Sequence, residues 1–291
     1  MEIVIGSECK GSWGKQVIDY LITKIYPTIN IKYENTPNCN IIIKSFWPKL
    51  EDVWNNQPKK YIYWSGEPYI PIESKYQTKK IYIITQIIPI NSLYIPYFLY
   101  SSHLYKHRIS PNINRTYLLA YCNSHATKER EYMYNLFVQK SSNCHALGKC
   151  YGNHPKTKLP SIKGGWGGNQ LIECYTKYKF VIAMENSKRY GYITEKIINA
   201  FYSGAIPIYW GCNTIVQHFN KKAFINVNDF KTFEDCVNYV ISLDNKTIQK
   251  MAEEPIYLDN ELTHLMDEEW NKIHGNTTLD RYIHKLQQFL E

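Results

Sequence analysis

The chain has 291 residues, 44% of them hydrophobic and 21% charged, with a formal net charge of +8. That length and apolar content exclude a disordered chain and allow two modest domains or one large one. The charge suits a partner carrying phosphate, yet 34 Lys and Arg are mixed with 26 Asp and Glu and no long basic run appears, so the balance hints at anions without marking nucleic acid.

In chain order, a strand is predicted at 2–5, then a loop from Gly6 to Gly14, then a helix with Val17, Ile18, Leu21, Ile22 and Ile25 on one face. Short strands follow at 29–33, 40–44, 61–64, 81–85 and 117–121. In the second half, strands at 178–184, 205–210 and 223–227 alternate with helices near 128–138, 169–177, 194–203, 213–219 and 231–242. Such alternation predicts βαβ units and parallel sheets, an α/β fold. Gly164, Gly165, Gly167 and Gly168, interrupted by Trp166, read as a flexible connection and not as a phosphate loop, because no evident strand precedes them. The stretch after Met251 is acidic, then helical from about Leu279, with Tyr282, Ile283, Leu286 and Phe289 or Leu290 on one side.

The eight cysteines form no CxxC pair and no zinc spacing with histidine, so reduced, buried thiols are expected over a disulfide framework. His145, His154 and His218 show no ligand spacing, and no histidine is assigned to metal or acid-base work. No N-terminal signal is evident, and no apolar run approaches the ~18 residues of a membrane span. A soluble, cytoplasmic protein is the expectation.

Residues 178–230 are the most informative part. An apolar run over 178–184 ends abruptly in Glu185 and Asn186, as a strand buried on both faces of a parallel sheet would. Lys188 to Tyr192 make a polar loop, Thr194 is a good N-cap, Ile197, Ile198 and Phe201 share a helical face, and Gly204 supplies the stop. Lys196 sits in the first turn, where the helix dipole typically costs a cation ~0.3–1 kcal/mol. A docked diphosphate would reverse that sign, since free N–H groups beyond the carboxyl end of a parallel strand are a natural anion seat. The alternative is a lysine paired with Glu185 or Glu195.

Here the sequence resembles a family. ENSKRYGYITEK followed by AFYSGAIPIYWG is similar to the donor-binding motif of the α-1,3/4-fucosyltransferases, which transfer fucose from GDP-fucose with inversion. Weaker likenesses lie in CNSHATKEREYMYNL with LGKCYGN and in YWSGEPYIP, while residues 1–60 and 250–291 resemble nothing definite. The resemblance implies a GT-B fold, two Rossmann-like domains facing each other across a cleft: an acceptor-side domain over 1–118, a GDP-fucose-binding domain over 119–258, and a C-terminal segment, 259–291, packing back on the first. Lacking the N-terminal anchor of the animal Golgi enzymes, the chain looks closer to the soluble microbial or viral kind.

Fucosyl transfer needs a base for the acceptor hydroxyl and stabilisation of departing GDP. Glu67, in the Ser65–Pro68 turn after a predicted strand, is the candidate base; a solvated turn glutamate is the bland reading, and likeness to the family's acceptor-side acidic motif favours catalysis. Arg130 and Lys196 are the candidate diphosphate ligands, Arg130 for its planar fork, with Lys128 and Arg108 as competitors. Glu195 can accept two hydroxyls, from ribose or fucose. Asn186 and Tyr192 match family positions facing the nucleotide sugar, Tyr192 having core packing as its plain alternative. Asn123 is a candidate contact to guanosine or ribose, and Glu185 either steadies the loop or supports charge on the fucose ring. No Asp-x-Asp motif is present, so no essential metal is expected. The implied acceptor is a GlcNAc-containing glycan of N-acetyllactosamine type, joined by an α-1,3 link. A transferase using another nucleotide sugar, or a basic nucleic-acid-binding protein, stays open.

Overall fold

The computed structural model describes residues 2–7, 22–28, 30–33, 41–45, 60–65, 80–84, 92–94, 108–111, 114–154, 169–258, 284 and 286–291. The turn holding Glu67, the glycines at 164–168 and most of the predicted first helix lie outside these residues. The chain divides into two compact units, Met1–Tyr100 with Thr263–Glu291, and Ser101–Leu262.

The first unit holds a six-stranded parallel sheet of β1 (Glu2–Ser7), β2 (Asn30–Tyr33), β3 (Ile41–Ser45), β4 (Lys60–Ser65), β5 (Lys80–Ile84) and β6 (Ser92–Tyr94), in the order β2-β1-β3-β4-β5-β6. Ile5 pairs with Tyr33 on one side and Ile41 on the other, so the order turns back at β1. Ile22 in a helical turn, Ile41 and Ile62 are buried, and so is Leu286 in the C-terminal helical stretch. The Lys60 ammonium donates to the carbonyl of Leu290, tying that stretch to the start of β4.

The second unit is a five-stranded parallel sheet: β7 (Tyr117–Tyr121), β8 (Cys144–Ala146), β9 (Tyr178–Met184), β10 (Ile206–Trp210) and β11 (Ile225–Asn226), in the order β11-β10-β9-β7-β8. Helices α1 (Lys128–Lys140), α2 (Asn169–Tyr175), α3 (Glu195–Tyr202), α4 (Phe233–Ser242) and α5 (Asn245–Glu253) connect or follow these strands. Side-chain alternation assigns the two faces. Leu119 and Tyr121 of β7 and Phe180, Ile182 and Met184 of β9 pack with Met133 and Phe137 of α1, Val237 of α4 and Ile248 of α5. Ala120 and Val181, the intervening residues, pack with Leu171 and Tyr175 of α2 and Ala200 of α3. With helices on both faces, β9 beyond Lys179 has no polar side to show, which is why its sequence from Phe180 runs apolar without alternation.

Two arginines anchor the helix ends. Arg108 donates to the carbonyls of Phe201 in α3 and of Ala252 and Glu254 at the end of α5. Arg115 donates to Tyr175 O (3.1 Å), Tyr178 O (2.9 Å) and Ser203 O (2.7 Å), joining the ends of α2 and α3 to the start of β9. Carbonyls orphaned at helix ends thus find cationic donors where the dipole is negative. Burial pulls the Arg115 guanidinium down to about 10, with nearby Arg108 adding to the shift.

The predicted helix at 213–219 is a 3-10 turn, Asn213–Gln217, started by Cys212, whose sulfur accepts from Thr214 N. The predicted 223–227 strand shrinks to Ile225–Asn226, and β6, β8 and α5 are additions. The six described cysteines, Cys122, Cys144, Cys150, Cys174, Cys212 and Cys236, are free thiols. Among the described residues no helix is long and apolar enough to cross a membrane.

Candidate functional site

The strand order of the second unit reverses between β7 and β9: β8 lies outside β7, and β10 and β11 lie outside β9. Loops leaving the carboxyl ends of two such neighbours diverge to opposite faces and leave a crevice, the usual ligand site of open parallel sheets. Asn123 follows β7, and Glu185 and Asn186 follow β9, so the sequence-predicted donor residues gather at this point.

Arg130 bridges the two loops. It projects from the first turn of α1, is only 1% exposed, and donates from Nε and Nη2 to Met184 O (2.9 and 2.7 Å). Nη2 also donates to Asn186 Oδ1 (2.5 Å), and Nη1 to His125 O (3.3 Å). Four of the five N–H groups of a guanidinium are then in use, leaving one Nη1 hydrogen for any further acceptor. Burial lowers the pKa of Arg130, and the Glu185 carboxylate opposes that shift. Its competitor Arg108 is committed to the helix ends described above, and Lys128 is exposed on α1.

Glu185 is fully buried. Its Oε1 accepts from Thr194 N (2.7 Å), and its Oε2 accepts from Thr194 Oγ1 (2.8 Å). Thr194 occupies the N-cap position of α3, as expected, but its hydroxyl makes no capping bond to the helix. That hydroxyl donates to Glu185 and accepts from Lys196 Nζ (2.8 Å). The backbone N–H groups of the first turn of α3 are therefore left without a side-chain cap, and such groups favour an anion.

Lys196 Nζ lies 3.3 Å from Glu185 Oε2 and 3.5 Å from Glu195 Oε1. The pairing alternative weighed from sequence is present with both carboxylates at once. Both distances exceed the ~2.7–2.9 Å of a strong charge-assisted bond, so the ammonium is shared and not saturated. Lys188, Arg189, Lys196 and Arg130 against Glu185 and Glu195 leave the site two charges positive. Glu195 and Tyr192 are 5% and 3% exposed, so each meets its surroundings largely within the protein. Tyr192 N donates to Arg189 O (3.0 Å), closing a turn in which Gly191 has φ 81°. Asn123 is buried, and its carbonyl accepts from Lys149 N (2.9 Å) and Cys150 N (3.2 Å).

Sequence reasoning missed several supporting residues. Glu131 accepts from the Tyr121 hydroxyl and from Gly152 N (2.5 Å), fixing the 147–152 loop against the end of β7. Burial, then that bond to Glu131, push the Tyr121 phenol well above its ordinary range. Lys188 Nζ sits 5.0 Å from the Trp210 ring centroid, a cation–π distance. At Gly211, a Cβ would come within 2.8 Å of Glu185 Cγ and 2.5 Å of the Tyr209 hydroxyl, so only glycine leaves room for the buried carboxylate. The ordering of Glu185 ahead of an N-capping threonine was the available signal for that pair. Nothing local in the sequence points from Glu131 to Gly152.

No three His, Cys, Asp or Glu side chains gather as a metal set among the described residues. A family model described as glycosyltransferase family 10 (fucosyltransferase), C-terminal part, matches residues 111–252. The chain is 42% identical over 107 residues to α-(1,3)-fucosyltransferase FucT of Helicobacter pylori, covering 35% of this chain and 22% of that protein. It is 29% identical over 177 residues to α-(1,3)-fucosyltransferase B of Drosophila melanogaster, covering 55% and 38%. The matched stretch therefore spans well under half of these relatives. Crystal structures of an α1,3-fucosyltransferase with GDP and with GDP-fucose superpose with a TM-score of 0.65 at 19% and 20% identity, covering 96% of this chain and 90% of theirs, a likeness of fold. The two parallel α/β units agree with the expected GT-B class.

Proposed function

We propose that this chain, which belongs through residues 111–252 to glycosyltransferase family 10, moves L-fucose from GDP-β-L-fucose to a hydroxyl of a GlcNAc-containing glycan, forming an α-1,3 link with inversion. The observation that carries the reading is the cluster at the switch point of the second unit. A shared lysine and uncapped N–H groups at the start of α3 lie beside the Arg130–Asn186 bridge, on the stretch that matches the family.

In the proposed reaction the acceptor hydroxyl gives its proton to the Glu67 carboxylate, and its oxygen attacks the anomeric carbon on the face opposite GDP. The bond from that carbon to the phosphate oxygen breaks with its electron pair, and GDP leaves. Lys196, with the N–H groups of α3, takes up the charge that develops on the diphosphate, an effect worth about 100- to 1,000-fold per well-placed donor. Arg130 contributes its remaining N–H and holds Asn186. Glu195, buried beside Lys196, accepts sugar or ribose hydroxyls, while Tyr192 and Asn123 wall the nucleotide sugar. The scheme needs no metal, because protein cations and N–H groups supply the countercharge. Relatives with α-(1,3)-fucosyltransferase names and the solved enzyme with GDP-fucose support the donor and the link.

The test is acceptor turnover and GDP-fucose affinity measured on one protein, Glu67→Gln. Turnover is expected to fall by about 100-fold or more while the donor still binds, since glutamine keeps size but not basicity. Near-normal turnover would remove Glu67 as the base.

A further inference from the structure

We infer that Glu185 is a positioning residue: it sets the first turn of α3 through Thr194 and, by doing so, places Lys196 for the diphosphate. The inference rests on the proposed donor site. Glu185 is fully buried, and both its oxygens are occupied by Thr194 N, Thr194 Oγ1 and Lys196 Nζ, so it meets no substrate directly. It sits between two fixed neighbours. Met184 O and Asn186 Oδ1 both accept from Arg130, and Glu185 N donates to Trp210 O (2.7 Å), so the backbone that carries the carboxylate is tied on every side.

Two opposing effects follow from its charge. A carboxylate near the diphosphate repels it and competes for the ammonium; the same carboxylate fixes where the ammonium and the helix start lie. The contact distances decide between them. The Thr194 contacts, at 2.7 and 2.8 Å, are full-strength hydrogen bonds, whereas the ammonium at 3.3 Å is held loosely. Glu185 grips Thr194 and only leans on Lys196. Through Thr194 it also does what the threonine hydroxyl does not, replacing a direct cap with a fixed link from the end of β9 to the start of α3. Gly211 belongs to the same device, since a side chain there would push Glu185 off this position.

The experiment measures GDP affinity by calorimetry on wild type, Glu185→Gln, Glu185→Ala, Lys196→Ala and the Glu185→Ala/Lys196→Ala pair, each first shown folded by circular dichroism. Glutamine can still accept from Thr194 N, so Glu185→Gln should stay within about threefold of wild type, while Glu185→Ala weakens GDP about tenfold or more. In the Lys196→Ala background the alanine change should add about twofold or less, because its effect runs through the lysine. Tighter GDP binding in Glu185→Ala, equal losses for glutamine and alanine, or additive losses would each overturn the positioning role. An unchanged affinity in Lys196→Ala would instead sink the donor site itself, and the inference with it. Where Glu185→Ala does not fold, Thr194→Val removes the hydroxyl that joins Glu185 to Lys196 while the bond from Thr194 N stays, and it carries the same cycle.

Discussion

Lys196 and Arg130, paired by the sequence as candidate diphosphate ligands, differ in how much of each side chain is free for that task. Lys196 is 16% exposed and makes one short contact and two long ones. Lys196→Ala should weaken GDP binding by about tenfold or more, a charge-assisted contact being worth ~1.5–3 kcal/mol. Taken alone, the poor place of a cation at a helix start would make that variant slightly more stable. The structure reverses this expectation: the substitution leaves Glu185 buried without its cationic partner, so the ligand-free melting temperature should fall. Arg130 is consumed by Met184, Asn186 and His125, and its loss acts first on the fold. Arg130→Lys keeps the charge, but one ammonium cannot reproduce a fork spanning two loops, so a drop in melting temperature should precede any change in GDP affinity. Thermal unfolding and calorimetry on the two variants check both statements, and a fully stable Arg130→Lys protein would contradict the bridging role.

At the scale of elements, α3 is held at both ends by groups outside it. Glu185 fixes its start through Thr194, and Arg108 and Arg115 take its last carbonyls. Gly204, which ends it with φ +73°, would bring a Cβ to 2.6 Å from Arg115 Nη2 and 2.7 Å from Ile109 O. Gly204→Ala should therefore destabilise by more than the ~1–2 kcal/mol of a left-handed L-residue, because it also disturbs the Arg115 bonds; chemical denaturation measures it. Elements with a strong period or clear punctuation were legible beforehand, α3 between Thr194 and Gly204 and β9 as an apolar run among them. β8 has three residues, too few for its alternation to stand out, and α5 buries only Ile248 and Ala252, too narrow a stripe to signal a helix. The site was legible to the extent that its residues sit in one local stretch, from Glu185 to Lys196. The Arg130 bridge depends on β7 lying beside β9 and the Glu131 clamp on β7 lying beside β8, pairings that no short window of sequence contains.

For the molecule as a whole, buried thiols give stability a pH dependence of known sign. Burial pushes Cys122, Cys144 and Cys236 from 9.0 up to about 12, with Cys174 adding to the shift at Cys122 and a bond from Ser141 opposing it at Cys144. Between those values the unfolded chain has released protons that the native state retains, so stability is full below pH 9 and declines as pH rises toward 12. Melting temperature should fall over that window, and native Cys144 and Cys236 should resist a thiol reagent at pH 8 that labels them in denaturant. The same second unit that buries these thiols carries every described donor residue, so ligand binding should protect it against heat. The most direct check of the central claim is a thermal-shift titration of the intact chain with GDP, GDP-fucose, GDP-mannose and UDP-sugars, repeated on Lys196→Ala. GDP and GDP-fucose should stabilise the wild type, by about 2.7 kcal/mol at 100 times the dissociation constant, with UDP-sugars giving no comparable shift and the lysine variant responding only at higher ligand concentration. No stabilisation by GDP, or equal stabilisation by UDP-sugars, would contradict a GDP-fucose site at the start of α3.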